Sequence, residues 1–283
     1  MTTTFFGEPQ LKAAVRHRVA EHQRLDQIAQ RFYWADGSGC FIGCSLHSGK
    51  HSDFERLLGL PRWFAHLGEF IFEGLCPDRA VDFPLAVYDA LPVGVPWERF
   101  SREVRSRFML WLIVDERHGV VRWNDDPRVL AVGTLLARSC AADEPTPEEW
   151  AAAWAAALAA SRTAGAAGVA ALDAARTAAL AAARAAPLAA AWAAALAASR
   201  TAALDAALAA SRTAGAAGAA ALAACAAAQR DELLRLLRAC KPDAAAVPAL
   251  PADEMFRTYY DRVRLEAGAA SLVYDPTLAC RRT

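Results

Sequence analysis

The densest group of reactive side chains in this sequence lies between Cys40 and His51. Two cysteines and two histidines follow the spacing C-x3-C-x2-H-x3-H, at Cys40, Cys44, His47 and His51. Two thiolates and two imidazoles form a common zinc-binding set when they converge tetrahedrally on one ion. The pattern therefore predicts a zinc site, with a spacing that differs from that of the common zinc fingers.

The backbone must bend for these four side chains to meet. On one continuous α-helix they would form a stripe about 16 Å long, whereas zinc bonds are only about 2.0–2.3 Å. Gly49 lies within the run, and residues 52–55 (SDFE) predict a capping box that starts a new helix. We therefore expect a turn near Gly49 that leaves His51 outside the second helix. A half-site of Cys44 with His47 or His51 and a ligand from elsewhere is an alternative.

The same residues allow two further interpretations. Cys44 with His47 or His51 could form a nucleophile in which an imidazole activates the thiol, as in a cysteine-dependent hydrolase. Alternatively, the cysteines are small buried apolar residues and the histidines hydrogen-bond to the backbone. The sequence leaves the metal, nucleophile and packing interpretations open.

Three more titratable residues lie on the helix predicted after Pro61. His66 falls among apolar residues and is expected to be a partly buried, hydrogen-bonded histidine. Glu69 and Glu73 are four residues apart on one helix face, which could supply half of a metal site but is more typical of a solvent-facing pair. None of the three is included in the predicted zinc site.

Periodic apolar residues predict an all-α protein. One helix is expected to run from Leu11 to Phe32, with His17 and His22 on a basic, solvent-facing side. Further helices follow prolines, and residues 146–149 (TPEE) combine an N-cap threonine, a proline and a glutamate in a predicted capping box. The N-terminal helices are expected to form a domain with an aromatic core.

The chain of 283 residues divides by composition into three predicted parts. These are a helical domain with the Cys/His cluster (1–142), an Ala-rich helical module (146–240), and a linker with a short helix and a tail (241–283). Between Ala151 and Ala228, 47 of 78 residues are alanine, the residue with the highest helix propensity. We expect long Ala-rich helices, packed as a hairpin or bundle, that bind a protein partner or self-associate.

Net charge and cysteine content limit the partners and the redox environment expected for this protein. Thirty-one basic and 31 acidic residues give a formal net charge of zero, which argues against broad electrostatic binding of nucleic acid or anionic membranes. Seven scattered cysteines, an odd number, predict reduced thiols rather than a disulfide framework. The Ala-rich runs lack the strongly apolar residues of a membrane span. The sequence therefore predicts a soluble cytoplasmic protein.

Residues 37–75, which begin GSGCFIGCSLHSGKH, resemble a widespread group of bacterial and phage proteins. Members of this group are similar in joining an N-terminal GCxxGCxxH region to a very Ala-rich helical C-terminal region, and the likeness covers about residues 30–230. The resemblance implies an architecture and an association with mobile elements, but no activity and no catalytic residues.

The leading functional prediction is a non-enzymatic interaction or assembly protein, associated with phages or mobile elements, in which the Cys/His cluster is a structural zinc-type site. The motivation is the lack of a specific catalytic signature in the sequence, together with a long Ala-rich helical surface. The alternative is a cysteine- or metal-dependent hydrolase that uses Cys44 with His47 or His51.

Overall fold

The computed structural model describes residues 2–119, 127–161 and 215–241. In these ranges the protein is mostly helical, as predicted, with one small two-stranded sheet. The α-helices are α1 (Pro9–Arg24), α2 (Phe41–Leu46), α3 (Ser52–Leu58), α4 (Arg62–Gly74), α5 (Pro77–Ala80), α6 (Phe83–Ala90), α7 (Trp97–Phe100), α8 (Arg107–Val114), α9 (Pro127–Cys140), α10 (Pro147–Ser161) and α11 (Gly215–Ala239). A 3-10 helix covers Thr4–Gly7, and a π-helical segment, Ser101–Ser106, joins α7 to α8.

One hydrophobic core draws on all three described ranges. Fully buried aromatic side chains, among them Phe41, Phe54 and Phe64, occupy the N-terminal part, where each contributes about 1.5–3 kcal/mol by leaving water. Trp150 of α10 and Leu233 of α11 belong to the same core. The described ends of the Ala-rich module therefore pack on the N-terminal helices, α10 against α9 and α11 against α4, α6 and α8. The predicted hairpin or bundle depends on residues 162–214, which lie outside the described residues.

The predicted start of α10 is confirmed in detail. The backbone N–H of Glu149 donates to the hydroxyl of Thr146 at 3.2 Å, and the N–H of Thr146 donates to the Glu149 carboxylate at 2.7 Å. These two bonds satisfy donors that the first turn of a helix cannot pair internally.

The first helix ends earlier than the apolar spacing predicts. It stops at Arg24, because Asp26 and Arg31 have left-handed backbone angles, with φ of 54° and 84°. Leu25 and Phe32, predicted as core-facing, are 48% and 43% exposed. The predicted solvent-facing placement of His22 is also wrong, since only 9% of this residue is exposed.

A short β-hairpin follows this loop and leads into α2. Its strands, β1 (Trp34–Ala35) and β2 (Ser38–Gly39), are antiparallel. Asp36 and Gly37 both have positive φ angles, 51° and 81°, as a type I′ turn requires. The hairpin places Tyr33 and its neighbours directly against α2.

Candidate metal centre

The predicted interruption of the helix near Gly49 is confirmed. Helix α2 ends at Leu46, its C-cap His47 has left-handed angles (φ 52°, ψ 38°), and α3 begins at Ser52 with His51 as its N-cap. The predicted capping box is wrong, because no side chain caps α3. The nearby Ser48 hydroxyl donates instead to the Asp53 carboxylate at 2.6 Å.

The bend separates the four predicted zinc ligands instead of gathering them. Cys40 and Cys44 are one helical turn apart and are buried in the core. The left-handed turn at His47 then directs the chain away from the two thiols, so that His51 lies with residues of α4. In the part of the chain that the structure describes, the group whose ligand atoms lie close enough for one ion contains His51 and none of the other three.

The two thiols are in environments that oppose ionisation. The Cys44 thiol donates to the carbonyl of Gly39 at 3.1 Å. Burial raises the pKa of Cys44 to about 12 and that of Cys40 to about 11. The thiolate is the nucleophilic form, so this environment disfavours the reactive state of Cys44 at neutral pH. The structure therefore gives no support to the predicted pairing of Cys44 with His47 or His51 in catalysis.

We expect Cys40 and Cys44 to resist a water-soluble thiol reagent in the folded protein. Both are at most 1% exposed, whereas Cys76 is partly exposed. The number of rapidly reacting thiols should be unchanged in Cys44→Ala and should fall by one in Cys76→Ala. Counting thiols with a colorimetric disulfide reagent before and after denaturation measures this. Rapid reaction of Cys44 in the native protein would contradict the buried placement.

His47 belongs to a small aromatic cluster with His22 and Trp34. The His47 ring stacks on Trp34 with centroids 3.8 Å apart, and its Nε2 lies 2.9 Å from Nε2 of His22. Since the Gln27 side-chain oxygen accepts from Nδ1 of His22 at 2.7 Å, Nε2 of His22 is the acceptor for the N–H of His47. Burial lowers the pKa of His47 to about 2 and also lowers that of His22. The pair is therefore neutral and hydrogen-bonded.

A different set of residues has the geometry of a metal site. His51, His66 and Glu69 each offer one ligand atom, and these atoms all lie within 4.8 Å of one another. Nε2 of His51 hydrogen-bonds to the Glu69 carboxylate. The rings of His51 and His66 stack with centroids 3.8 Å apart and planes at 11°. Two imidazoles and one carboxylate thus lie together, partly open to solvent.

No family model, curated protein or solved structure matches this chain. In the described part of the chain, every helix is too short or too polar to cross a membrane.

Two helices and the turn between α2 and α3 position the group. His51 is held at the start of α3, while His66 and Glu69 are one turn apart on α4. Helix α4 approaches α2 closely at Gly68, where an added Cβ would come within 2.4 Å of the Phe41 ring. This close approach brings the His66 and Glu69 turn of α4 within reach of the residues that follow α2.

The surroundings of His66 favour its neutral imidazole, the form that binds metal ions. Burial is the main cause that lowers the pKa of His66 to about 4, and the neighbouring His51 acts in the same direction. The side chains of His51 and Glu69 remain 13% and 20% exposed. An ion can therefore reach the group from solvent.

The ligand set predicted from the sequence contains His51 but neither His66 nor Glu69. The sequence predicts His66 as a partly buried histidine, and Glu69 as half of a metal site or a solvent-facing carboxylate. Glu69 joins the group, whereas Glu73 accepts from the backbone N–H of Arg31 at 3.0 and 3.1 Å. The available signal was the His-x-x-Glu spacing, which places an imidazole and a carboxylate on one helix face.

Proposed function

We propose that this protein binds a divalent transition metal ion, of which zinc is the best match, through His51, His66 and Glu69. The observation that carries the proposal is the convergence of three ligand atoms within 4.8 Å of one another, from residues on two separate helical segments. Imidazole and carboxylate are the donors that zinc takes together in proteins. The same donor set also suits iron(II), which makes the identity of the metal part of the test.

The donors need only a small movement to bind an ion. Around a tetrahedral zinc ion with bonds of about 2.0–2.1 Å, ligand atoms are about 3.3 Å apart. The ligand atoms here are separated by up to 4.8 Å, so the group must contract by about 1.5 Å at most. Side-chain rotation achieves this if Nε2 of His51 leaves Glu69, its proton moves to Nδ1 or to solvent, and the free nitrogen binds the ion.

Three protein ligands leave at least one coordination position of the ion for water or another ligand. Structural zinc sites have four protein ligands, whereas catalytic zinc sites have three. A bound ion would supply Lewis acidity and lower the pKa of its water. The donor set therefore favours an open site over the closed structural site predicted from Cys40, Cys44, His47 and His51.

We expect the protein to bind about one zinc ion per chain, and His66→Ala to weaken binding by more than about 100-fold. Loss of a direct ligand should cost more than the roughly 10–100-fold typical of residues behind the ligands. Titration calorimetry with zinc, and the visible spectrum of the cobalt(II) protein, measure this. His17→Ala, a change at an exposed residue of α1, should bind as the wild type does.

The cysteine variants decide between the two ligand sets. Cys40→Ala and Cys44→Ala should retain zinc binding if His51, His66 and Glu69 hold the ion. Loss of binding in both cysteine variants, with binding retained in His66→Ala, would favour the set predicted from the sequence. No binding by the folded wild type at micromolar zinc would end the proposal.

Two predictions from the sequence concern other functions. Interaction or assembly through the Ala-rich helices, in a phage-related setting, remains a prediction because much of that module lies outside the described residues. Hydrolysis remains a prediction in its metal-dependent form, which the open coordination position favours. Its cysteine-dependent form also remains a prediction, which the burial of Cys44 does not favour.

A further inference from the structure

A cleft with a volume of about 960 Å³ lies between α11 and the C-terminal end of α8. Three parts of the fold form its walls, which are α5, α8 with the turn that follows it, and residues 224–235 of α11. None of the three proposed metal ligands lines it. Sites for small organic ligands commonly occupy about 300–1,000 Å³, so the cleft is large enough for such a ligand.

Two stacked rings form one side of the cleft. The rings of Trp111 and His118 lie with centroids 5.7 Å apart and planes at 28°. The Asp115 carboxylate holds His118 in place, because it accepts the backbone N–H of His118 at 2.8 Å and lies 3.0 Å from Nδ1 of the ring. Helix α11 contributes Ala224 and Ala228 to the same cleft, and their short side chains leave room for a flat ligand beside the rings.

The charged residues of the cleft favour an anionic ligand. Each of the three carboxylates in its walls already accepts hydrogen bonds from N–H groups of the chain; these carboxylates belong to Asp115, Asp231 and Glu232. The Arg79 guanidinium, by contrast, forms no hydrogen bond or ion pair within the described residues. A guanidinium binds phosphate through two parallel N–H donors, so the cleft offers an anion a partner that the fold does not use.

We propose that this cleft binds a nucleoside monophosphate, with its base stacked on the rings of His118 and Trp111 and its phosphate bound by Arg79. Aromatic side chains stabilise a bound base by stacking on its flat face. Charge-assisted hydrogen bonds from arginine to phosphate are about twice as strong as neutral ones. The inference does not depend on the proposed metal-binding function, because the two sites share no residue.

Calorimetric titration of the full chain with AMP, adenosine and inorganic phosphate tests the inference. A chelator is present throughout, so that no metal-bound site contributes to the heat. We expect AMP to bind at least about 10-fold more tightly than adenosine or phosphate, because only AMP makes both contacts.

Two variants separate the contacts with the phosphate and the base. Arg79→Gln should weaken AMP binding about 10-fold and leave adenosine binding unchanged, since it removes only the charge-assisted contact. His118→Ala should weaken AMP and adenosine binding alike, about 5-fold or more, since it removes part of the stacking surface. Arg238→Gln is the matched control, because Arg238 is an exposed arginine of α11 that does not line the cleft. This control should bind AMP as the wild type does.

Cys76 reports whether AMP binds in the cleft. It lines the cleft and is partly exposed, so AMP should slow its alkylation by iodoacetamide, followed by mass spectrometry of the Cys76 peptide. AMP binding that leaves the rate at Cys76 unchanged would place the nucleotide elsewhere and overturn the inference. A folded wild type that binds no AMP at millimolar concentration would do the same, as would equal AMP affinity in the wild type and Arg79→Gln.

Discussion

Gly43→Ala is expected to destabilise the protein by at least about 3 kcal/mol. The added methyl group would lie 1.4 Å from the carbonyl oxygen of Tyr33, far inside van der Waals contact. The obstructing atom belongs to the backbone, so α2 and the hairpin must separate by more than an ångström. Overpacking a well-packed core typically lowers the free energy of unfolding by about 1–3 kcal/mol. A clash with backbone atoms lies at or beyond the upper end of this range. Urea unfolding followed by circular dichroism measures the change.

Gly133→Ala is the matched control for this experiment. Gly133 lies within α9, and its added Cβ would meet only the ends of the Val114 and Ile113 side chains, at 3.3 and 3.4 Å. The gain in helix propensity, about 1 kcal/mol, should offset this mild crowding. A Gly43→Ala protein as stable as Gly133→Ala would show that α2 does not pack on Tyr33 as described.

The GCxxGC part of the sequence thus has a structural explanation that does not involve metal. Gly39 and Gly43 allow α2 to touch the backbone of Tyr33, and Cys40 donates to that backbone through its N–H. Cys44 donates its thiol to the carbonyl of Gly39. A spacing that resembles a ligand set is therefore the spacing of one helical turn packed tightly against a loop.

The helices were predictable where apolar periodicity and start signals agree. The helix after Pro61, the helical run after Pro96 and the capping box at Thr146 are confirmed. The end of α1 was not predictable from periodicity, because Leu25 and Phe32 continue the apolar spacing while the backbone turns left-handed at Asp26. Local apolar spacing cannot report such a turn.

The hairpin and the metal group were missed for different reasons. Strands of two residues are too short for an alternating pattern, although Asp36-Gly37 is a strong turn signal. The metal group joins His51 to residues 15 and 18 positions later, on another helix. A search for closely spaced ligands favours neighbours in sequence, whereas the packing of α4 against α2 decides which side chains meet in space.

The metal-free protein is expected to lose stability steeply as the pH falls below about 6.5. His22 and His47 are buried and neutral, and both pKa values are lowered in the fold, that of His47 to about 2. The unfolded chain therefore binds more protons than the folded chain below the usual histidine pKa of about 6.5. Stability from these residues is complete above that pH, and the contribution of His47 falls by up to about 1.4 kcal/mol per pH unit as the pH falls below it.

Charged groups near His22 and His47 affect how readily the two rings are protonated. The positive charge of Arg18 opposes protonation of both rings, whereas Glu21 favours protonation of His22. Protonating His22 at Nε2 also places two N–H groups opposite each other across the 2.9 Å contact between the Nε2 atoms. Acid should therefore break the contact between α1 and the end of α2, which lies beside the loop that holds Tyr33.

His47→Asn isolates this contribution, because asparagine tolerates the left-handed backbone at position 47. At pH 7 the variant should be less stable than the wild type, since it loses the stack on Trp34. Its stability should depend less on pH by up to about 1.4 kcal/mol per unit, so the two proteins converge as the pH falls toward 4. His17→Gln, at an exposed position on α1, should keep the wild-type dependence of stability on pH.

Urea unfolding between pH 7 and 4, in the presence of a chelator, measures the stability of the wild type and both variants. Equal slopes for wild type and His47→Asn would mean that His47 is protonated in the fold, and that the buried His22–His47 hydrogen bond is not as described.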